Sequence, residues 1–181
     1  MSGFFYNPLY QPYVFLECGI KFMGTKAKII EIPRDEAVFR LDGNGCWHNA
    51  DGKFRHKKII DYFHSSIKRD QKGYHLYQAH DNIIEKVYFH YEDKALFVFD
   101  VLRESDIMLV LNTKKRIKLK PGKLFIKDDS LYMHLGDETI KFAEQGLIKI
   151  APLLEEEGDL LFIRSKNRRY RIPTLGEKGE T

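Results

Sequence analysis

Histidine is the residue type that most invites a chemical interpretation, because five of the seven histidines lie between Cys46 and His80. A metal site needs two ligands at a chelating spacing on one rigid element, such as histidines four apart on a helix or two apart on a strand. No histidine pair has either spacing. His56 and His64, on a predicted helix, would lie about 12 Å apart along its axis. We therefore predict structural and surface histidines, with no metal and no cofactor.

Cys46 and His48 form the candidate pair for nucleophilic catalysis. On a strand they would share a face with their Cα atoms roughly 7 Å apart, which is long for a Cys–His dyad. Glu92 and Asp93 fall in a predicted turn, where Asp normally accepts hydrogen bonds from turn amides. The sequence predicts no catalytic residue, and an enzyme with an unrecognised site stays an open alternative.

Basic residues are concentrated in two predicted strand regions, residues 114–127 and 164–171. The first contains seven Lys or Arg and no acidic residue, and its cations alternate with apolar residues. Such a pattern is typical of the wet face of a half-buried sheet, but it also fits an anion-binding surface. The candidate anion-binding residues are Arg116, Lys118, Lys120, Arg169 and Arg171. We expect them to bind polyanions weakly and without sequence preference.

Composition limits the class of protein. With 43% hydrophobic residues, 13 Phe and 10 Tyr among 181 residues, the chain has ample material for a core and favours β structure. The net charge of +4 is too small to indicate nucleic-acid binding by itself. No apolar run is long enough to span a bilayer, so we predict no membrane partner. Cys18 and Cys46 match no redox or metal spacing, which predicts free thiols and a cytoplasmic location.

Hydrophobic periodicity predicts mostly β structure with two helices. Lys28–Ile32 and Ala37–Leu41 read as strands, and the first helix is predicted from Lys57, with Ile67 on its apolar face, to a stop at Lys72 and Gly73. A series of strands joined by short turns follows, which indicates antiparallel hairpins. A second helix is predicted from about Ala143 to Glu156, although Pro152 could shorten it. Trp47 is expected to be buried against Phe63 of the first helix.

The two halves of the chain share a layout. Trp47 and His48 lead to Phe54, a helix and a strand, just as Met133 and His134 lead to Phe142, a helix and a strand. The predicted fold class is α+β and mostly antiparallel β, with two small roll-like domains that each pack one helix and a repeated strand–turn–helix–strand motif. Residues 26–86 form the predicted N-terminal domain and residues 87–175 the predicted β-rich C-terminal domain. Residues 1–25 are expected to be a leader or a misassigned start, and residues 176–181 a polar tail.

One series of residues resembles a known family. It consists of Trp47-His48, Ile59-Ile60, Phe63, Arg69-Asp70, Gly73-Tyr74, Leu76, Glu85-Lys86 and Glu92-Asp93. The series resembles the domain of unknown function 1285 family of uncharacterised bacterial proteins, most closely over residues 36–100. The resemblance implies two α+β roll-like domains with a repeated motif, and it brings no catalytic residue.

The sequence thus predicts a non-catalytic module that binds a small-molecule ligand or a protein partner, with a role in bacterial signal transduction. Its candidate ligand-binding residues are Trp47, Arg69, Tyr74 and Glu92, in a groove between the two domains. The alternatives are a weak polyanion binder and an enzyme with an unrecognised site.

Overall fold

The computed structural model describes residues 27–176, so the predicted leader and nearly all of the predicted polar tail lie outside the described residues. The described chain contains helices α1 (Lys57–Ser65) and α2 (Glu144–Ile150). Its first strands are β1 (Lys28–Ile32), β2 (Phe39–Leu41), β3 (Trp47–Asn49), β4 (Gly52–Lys53), β5 (Ile67–Asp70), β6 (Gly73–His80), β7 (Ile83–Tyr88) and β8 (His90–Tyr91). The later strands are β9 (Phe97–Arg103), β10 (Ile107–Leu111), β11 (Arg116–Lys118), β12 (Leu124–Lys127), β13 (Ser130–Leu135), β14 (Glu138–Phe142), β15 (Leu154–Glu157), β16 (Leu160–Ser165) and β17 (Arg168–Ile172).

The order of elements repeats along the chain. Strands β2, β3 and β4 form an antiparallel meander, followed by α1 and a second antiparallel meander of β5, β6 and β7. The same order recurs as β12 to β14, α2, and β15 to β17. We call these the first unit (39–88) and the second unit (124–172). The α+β class predicted from the sequence is confirmed.

Pairings between distant strands join the meanders into four sheets. Their strand orders are β1-β7-β6-β5, β4-β3-β2-β8, β11-β10-β9-β14-β13-β12 and β15-β16-β17. Among the named strands of the described residues, three pairings are parallel, namely β1 with β7, β2 with β8, and β9 with β14. Short turns predict hairpins, but they do not reveal parallel contacts between strands far apart in sequence.

The six-stranded sheet is curved. Its edge strands β11 and β12 are joined by residues 119–123, which span at most about 20 Å. In a flat sheet the same edges would lie about 24 Å apart. The amide of Lys120, just after β11, accordingly lies 3.4 Å from Sδ of Met133 on β13. The outer edge of β12 is covered by Pro173–Leu175, which exchange two backbone hydrogen bonds with Ile126.

Trp47 lies in the core. Its side chain is 1% exposed, and its ring packs edge-on against Phe63 of α1 with centroids 5.3 Å apart. The prediction that Trp47 is buried beside Phe63 is confirmed. Buried residues of both units belong to the same hydrophobic cluster, from Leu41 and Trp47 to Ile163 and Ile172.

Both helices are shorter than predicted. Helix α1 ends at Ser65, and Ile67 lies on β5 opposite Leu76 rather than on a helical face. A residue four positions after Phe63 fits the helical period and a new strand equally well, and pairing with β6 decides between them. Gly73 has a φ of 122° at the start of β6, so it serves the turn between two strands and does not end a helix.

The second helix ends at Ile150 and is followed by a 3₁₀ turn over Ala151–Leu153. Pro152 has no amide hydrogen and cannot continue the helical hydrogen-bond pattern. Leu154, predicted on the apolar face of the helix, lies instead on β15 opposite Ile163. The prediction of a helix to Glu156 is therefore wrong. The predicted domain boundary between residues 86 and 87 falls within β7, and the division into two domains stays a prediction.

Candidate functional site

The main candidate site is a surface cleft of about 420 Å³, which we call the Asp93 cleft. It lies where the loop between β8 and β9 meets strands β12, β13 and β14. Its wall contains carboxylates, lysines, hydroxyl groups and one phenyl ring. The lining residues are Glu92, Asp93, Lys94, Phe125, Lys127, Asp128, Ser130, Tyr132, Thr139 and Lys141.

Strand register aligns the floor of the cleft. Tyr132 on β13 lies directly between Phe125 on β12 and Lys141 on β14, so the three residues form one cross-strand row. The rings of Phe125 and Tyr132 stack with centroids 5.3 Å apart and planes inclined by 13°. Because side chains alternate between the faces of a strand, Ser130 and Thr139 belong to the same face as this row.

Asp93 is the centre of the polar network in the cleft. The Tyr132 hydroxyl donates a 2.7 Å hydrogen bond to Oδ2 of Asp93, and Nζ of Lys141 lies 3.1 Å from the same oxygen. Nζ of Lys94 lies 3.2 Å from the other carboxylate oxygen. Both ammonium groups also lie within 6.0 Å of the centre of the Tyr132 ring. One carboxylate therefore joins the loop to the sheet.

This network fixes the charge states of its members. Burial raises the pKa of Asp93, but the hydrogen bonds from Tyr132, Lys141 and Lys94 outweigh it and keep the pKa below its usual value. Burial and the bond to Asp93 raise the pKa of Tyr132 to about 12. At neutral pH Asp93 is ionised and Tyr132 is protonated. A general acid or base works best with a pKa near the working pH, so this pair is better suited to binding than to proton transfer.

The predicted groove residues occupy three different environments. Trp47 is enclosed in the core. Arg69 and Tyr74 lie together and contact the turn between β13 and β14, where the Tyr74 hydroxyl donates a 2.6 Å hydrogen bond to Glu138 and the Arg69 guanidinium lies 2.8 Å from the Asp137 carboxylate.

Glu92 is the predicted groove residue that lines the Asp93 cleft. Its carboxylate pairs with Arg40 and accepts a 2.9 Å hydrogen bond from the amide of Gly43. Sequence reasoning assigned Asp93 to a turn and missed its role as the centre of the cleft. Nothing in the sequence pattern pairs Tyr132 with a residue of the loop between β8 and β9.

The candidate anion-binding residues are largely paired with acids. Arg116 pairs with Glu104, and Lys118 lies 2.6 Å from Asp106. The two basic segments meet at Asp106, because Lys166, in the turn between β16 and β17, pairs with the same carboxylate.

Arg169 pairs with Glu155 and Glu157, and its guanidinium lies 3.8 Å from the centre of the Phe162 ring. Lys120 and Arg171 form no ion pair with another described residue. These two exposed cations are therefore the candidate anion-binding residues without an acidic partner among the described residues.

A second, more open cavity of about 490 Å³ is lined by Glu31, Pro33, Arg34, Lys72 and Tyr88. Behind it, Asp70 accepts a 2.9 Å hydrogen bond from the Tyr88 hydroxyl and a 2.8 Å hydrogen bond from Lys86. These donors hold the pKa of Asp70 far below its usual value. Two of the five lining residues, Lys72 and Glu31, form an ion pair with each other.

Within residues 27–176, no group of three or more His, Cys, Asp or Glu side chains has the geometry to hold a metal ion. Nor does any helix in that range have the length and apolar character needed to cross a membrane.

A known structure has a similar arrangement of elements. A DUF1285 family protein from Silicibacter pomeroyi matches 80% of this chain and 81% of its own chain, with a TM-score of 0.51 and 13% sequence identity. The fold is that of a DUF1285 family protein. A DUF1285 family protein from Shewanella baltica covers 59% of this chain and 84% of its own, at a TM-score of 0.43 and 19% identity. No protein-family model matches the sequence, and no curated protein is similar to it. The structural match supports the DUF1285 resemblance at the level of fold.

Proposed function

We propose that this protein is a non-catalytic module that binds a small polar ligand in the Asp93 cleft. The observation that carries the proposal is the convergence of ten polar and aromatic residues from a loop, a turn and three strands on one cleft of about 420 Å³. Ligand sites typically have volumes of roughly 300–1,000 Å³ and a few convergent polar groups. Cross-strand register and the Asp93 network position these groups before any ligand arrives.

The proposal includes a role in signal transduction in the bacterial cytoplasm. Support comes from the position of Asp93 and Lys94 between β8 and β9, in the segment that leaves the first unit. A ligand that contacts these residues and β13 together would act on parts of the chain that are far apart in sequence. The cytoplasmic location is supported by the spacing of Cys18 and Cys46, which matches no redox or metal motif.

A matched pair of lysine substitutions tests where the ligand binds. Lys127 lines the Asp93 cleft and Lys72 lines the second cavity, and their side chains are 59% and 66% exposed. A library of polar metabolites is screened by thermal unfolding. A ligand at ten times its Kd should raise the Tm by about 3–6 °C.

For hits that bind in the Asp93 cleft, Lys127→Met should reduce the shift and Lys72→Met should preserve it. The opposite pattern, or the absence of any hit, would contradict the proposal.

Polyanion binding is the second candidate function. The observation that favours it is the meeting of the two basic segments at Asp106, which places Lys118 and Lys166 on one carboxylate. The acids that pair with these cations argue for weak binding. For this reason the cleft is ranked first.

A further inference from the structure

Three hydrogen-bond donors of the cleft surround the carboxylate of Asp93. The Tyr132 hydroxyl and the ammonium groups of Lys94 and Lys141 all lie within 3.2 Å of its two oxygens. Tyr132 is 5% exposed, and the Lys141 side chain is 15% exposed. A phenol and two partly buried ammonium groups around one carboxylate are the components of an anion-binding site.

The carboxylate that fills this position belongs to a loop. Asp93 lies between β8 and β9, whereas Tyr132 and Lys141 lie at paired positions of the six-stranded sheet. Asp93 is thus brought to the donors by tertiary structure, and its 27% exposure shows that solvent reaches it from the cleft. The other acids of the cleft have different partners: Glu92 pairs with Arg40, and Asp128 lies 3.8 Å from Lys127.

We propose that Asp93 is a built-in competitor, and that the ligand of this cleft carries a carboxylate or phosphate group that replaces Asp93 on Tyr132, Lys94 and Lys141. This inference rests on the proposed function and names the chemical class of its ligand. Displacement leaves no donor unpaired, because the incoming anion accepts the same hydrogen bonds. It also releases the loop between β8 and β9 from β13 and β14.

A tethered competitor acts at an effective concentration of roughly millimolar or more. Simple anions should therefore bind the native protein weakly, and removal of the Asp93 charge should strengthen their binding about tenfold or more. Removal of another negative charge from the same cleft should raise the affinity only by weakening the long-range repulsion of the anion. Salt screens this repulsion strongly when the charges are exposed to solvent.

The experiment compares native protein with Asp93→Asn and Asp128→Asn, which remove the same charge from two positions in one cleft. Each protein is titrated with inorganic phosphate and, separately, with succinate, and binding is followed by NMR shifts of the Ser130 and Thr139 amides. The two titrations distinguish phosphate from carboxylate as the preferred group. We expect Asp93→Asn to bind at least one anion about tenfold tighter than native protein, and Asp128→Asn to change the affinity less than about threefold. Lys141→Gln in the Asp93→Asn background should abolish the gain.

Equal gains in anion affinity in the two Asn variants would overturn the inference. They would show that removal of any negative charge in the cleft strengthens binding, without competition for the position of the Asp93 carboxylate. Native affinity equal to that of Asp93→Asn would overturn it as well. If neither anion shifts the cleft amides in any variant while uncharged metabolites do, the inference fails and the proposed function stands. If no compound shifts them, both fail. Asp93→Ser provides a second test of the same position if Asp93→Asn unfolds.

Discussion

The hydroxyl of Tyr132 donates a 2.7 Å hydrogen bond to Oδ2 of Asp93, across 39 positions of sequence. This bond joins β13, the strand next to the β12 edge of the six-stranded sheet, to the loop that leaves the first unit. It ties the stability of the fold to the geometry of the cleft, so a change in one should be detectable in the other.

Tyr132→Phe should destabilise the protein. The substitution removes the hydroxyl and one of the donors to an ionised carboxylate, and hydrogen bonds to charged groups contribute about 1.5–3 kcal/mol. Urea denaturation measures the change in the free energy of unfolding. The matched control is Tyr170→Phe, since the Tyr170 hydroxyl makes no hydrogen bond with another described residue. Equal effects of the two substitutions would show that the bond to Asp93 contributes nothing specific.

The buried pair of His64 and Asn112 should make stability depend on pH. Nδ1 of His64 lies 3.2 Å from the Asn112 amide nitrogen, and both side chains are almost fully buried. Burial and the nearby Lys114 charge lower the pKa of His64 to about 4, despite the opposing charge of Asp61.

In the unfolded chain the His64 ring takes up a proton near pH 6.5, whereas in the folded protein it does so only near pH 4. The contribution of His64 to the free energy of unfolding is therefore complete above pH 6.5 and is lost as the pH falls towards 4. The loss should reach about 3 kcal/mol. Urea titrations between pH 4 and 8 should show a shallower decline for His64→Gln than for native protein. Parallel curves would contradict this assignment.

Gly146 in α2 is required for close packing of the helix on β9. A Cβ atom at this position would clash with the carbonyl oxygen of Val98. Gly146→Ala should therefore lower the free energy of unfolding by about 1–3 kcal/mol or more, despite the better helix propensity of alanine. Gly122→Ala is the control, because a Cβ there meets no atom within 4 Å. Stabilisation by Gly146→Ala would mean that α2 lies farther from β9.

The basic strands should bind polyanions weakly and without sequence preference. At most about seven contacts would give a log–log salt slope no steeper than about −6. Titration of a labelled oligonucleotide at low and moderate salt measures this slope. The double variant Lys118→Glu, Arg169→Glu should lose the binding. The control is the double variant Lys58→Glu, Lys68→Glu, which changes the net charge by the same amount but on the first unit. This control should retain most of the polyanion binding. Tight, sequence-dependent binding at moderate salt that only the first variant abolishes would reverse the ranking of the two proposed functions.

Local patterns predicted much of the fold. The alternation of Arg116, Ile117 and Lys118 matches an exposed, buried, exposed series on β11, and Trp47 is enclosed, as its position beside a turn predicts. Ile67 was misassigned because its period fits both a helix and a strand. The parallel pairing of β1 with β7 has no local signature.

The cleft could not be predicted for the same physical reason. Asp93 meets Tyr132 and Lys141 only because β13 and β14 pair in one register and the loop after β8 crosses their face. Register and loop path are set by the packing of the whole core. The sequence therefore predicts Glu92 as a polar residue of the groove between the domains, but it gives its neighbour Asp93 no role beyond the turn.

An NMR map of amide shifts shows whether the Asp93 cleft binds a ligand. Uniformly ¹⁵N-labelled protein is titrated with the strongest binder from the metabolite screen. We expect saturable shifts concentrated at Lys94, Lys127, Ser130 and Thr139, with the amides around Lys72 unchanged. Shifts centred on the second cavity, or spread over the surface without saturation, would contradict it.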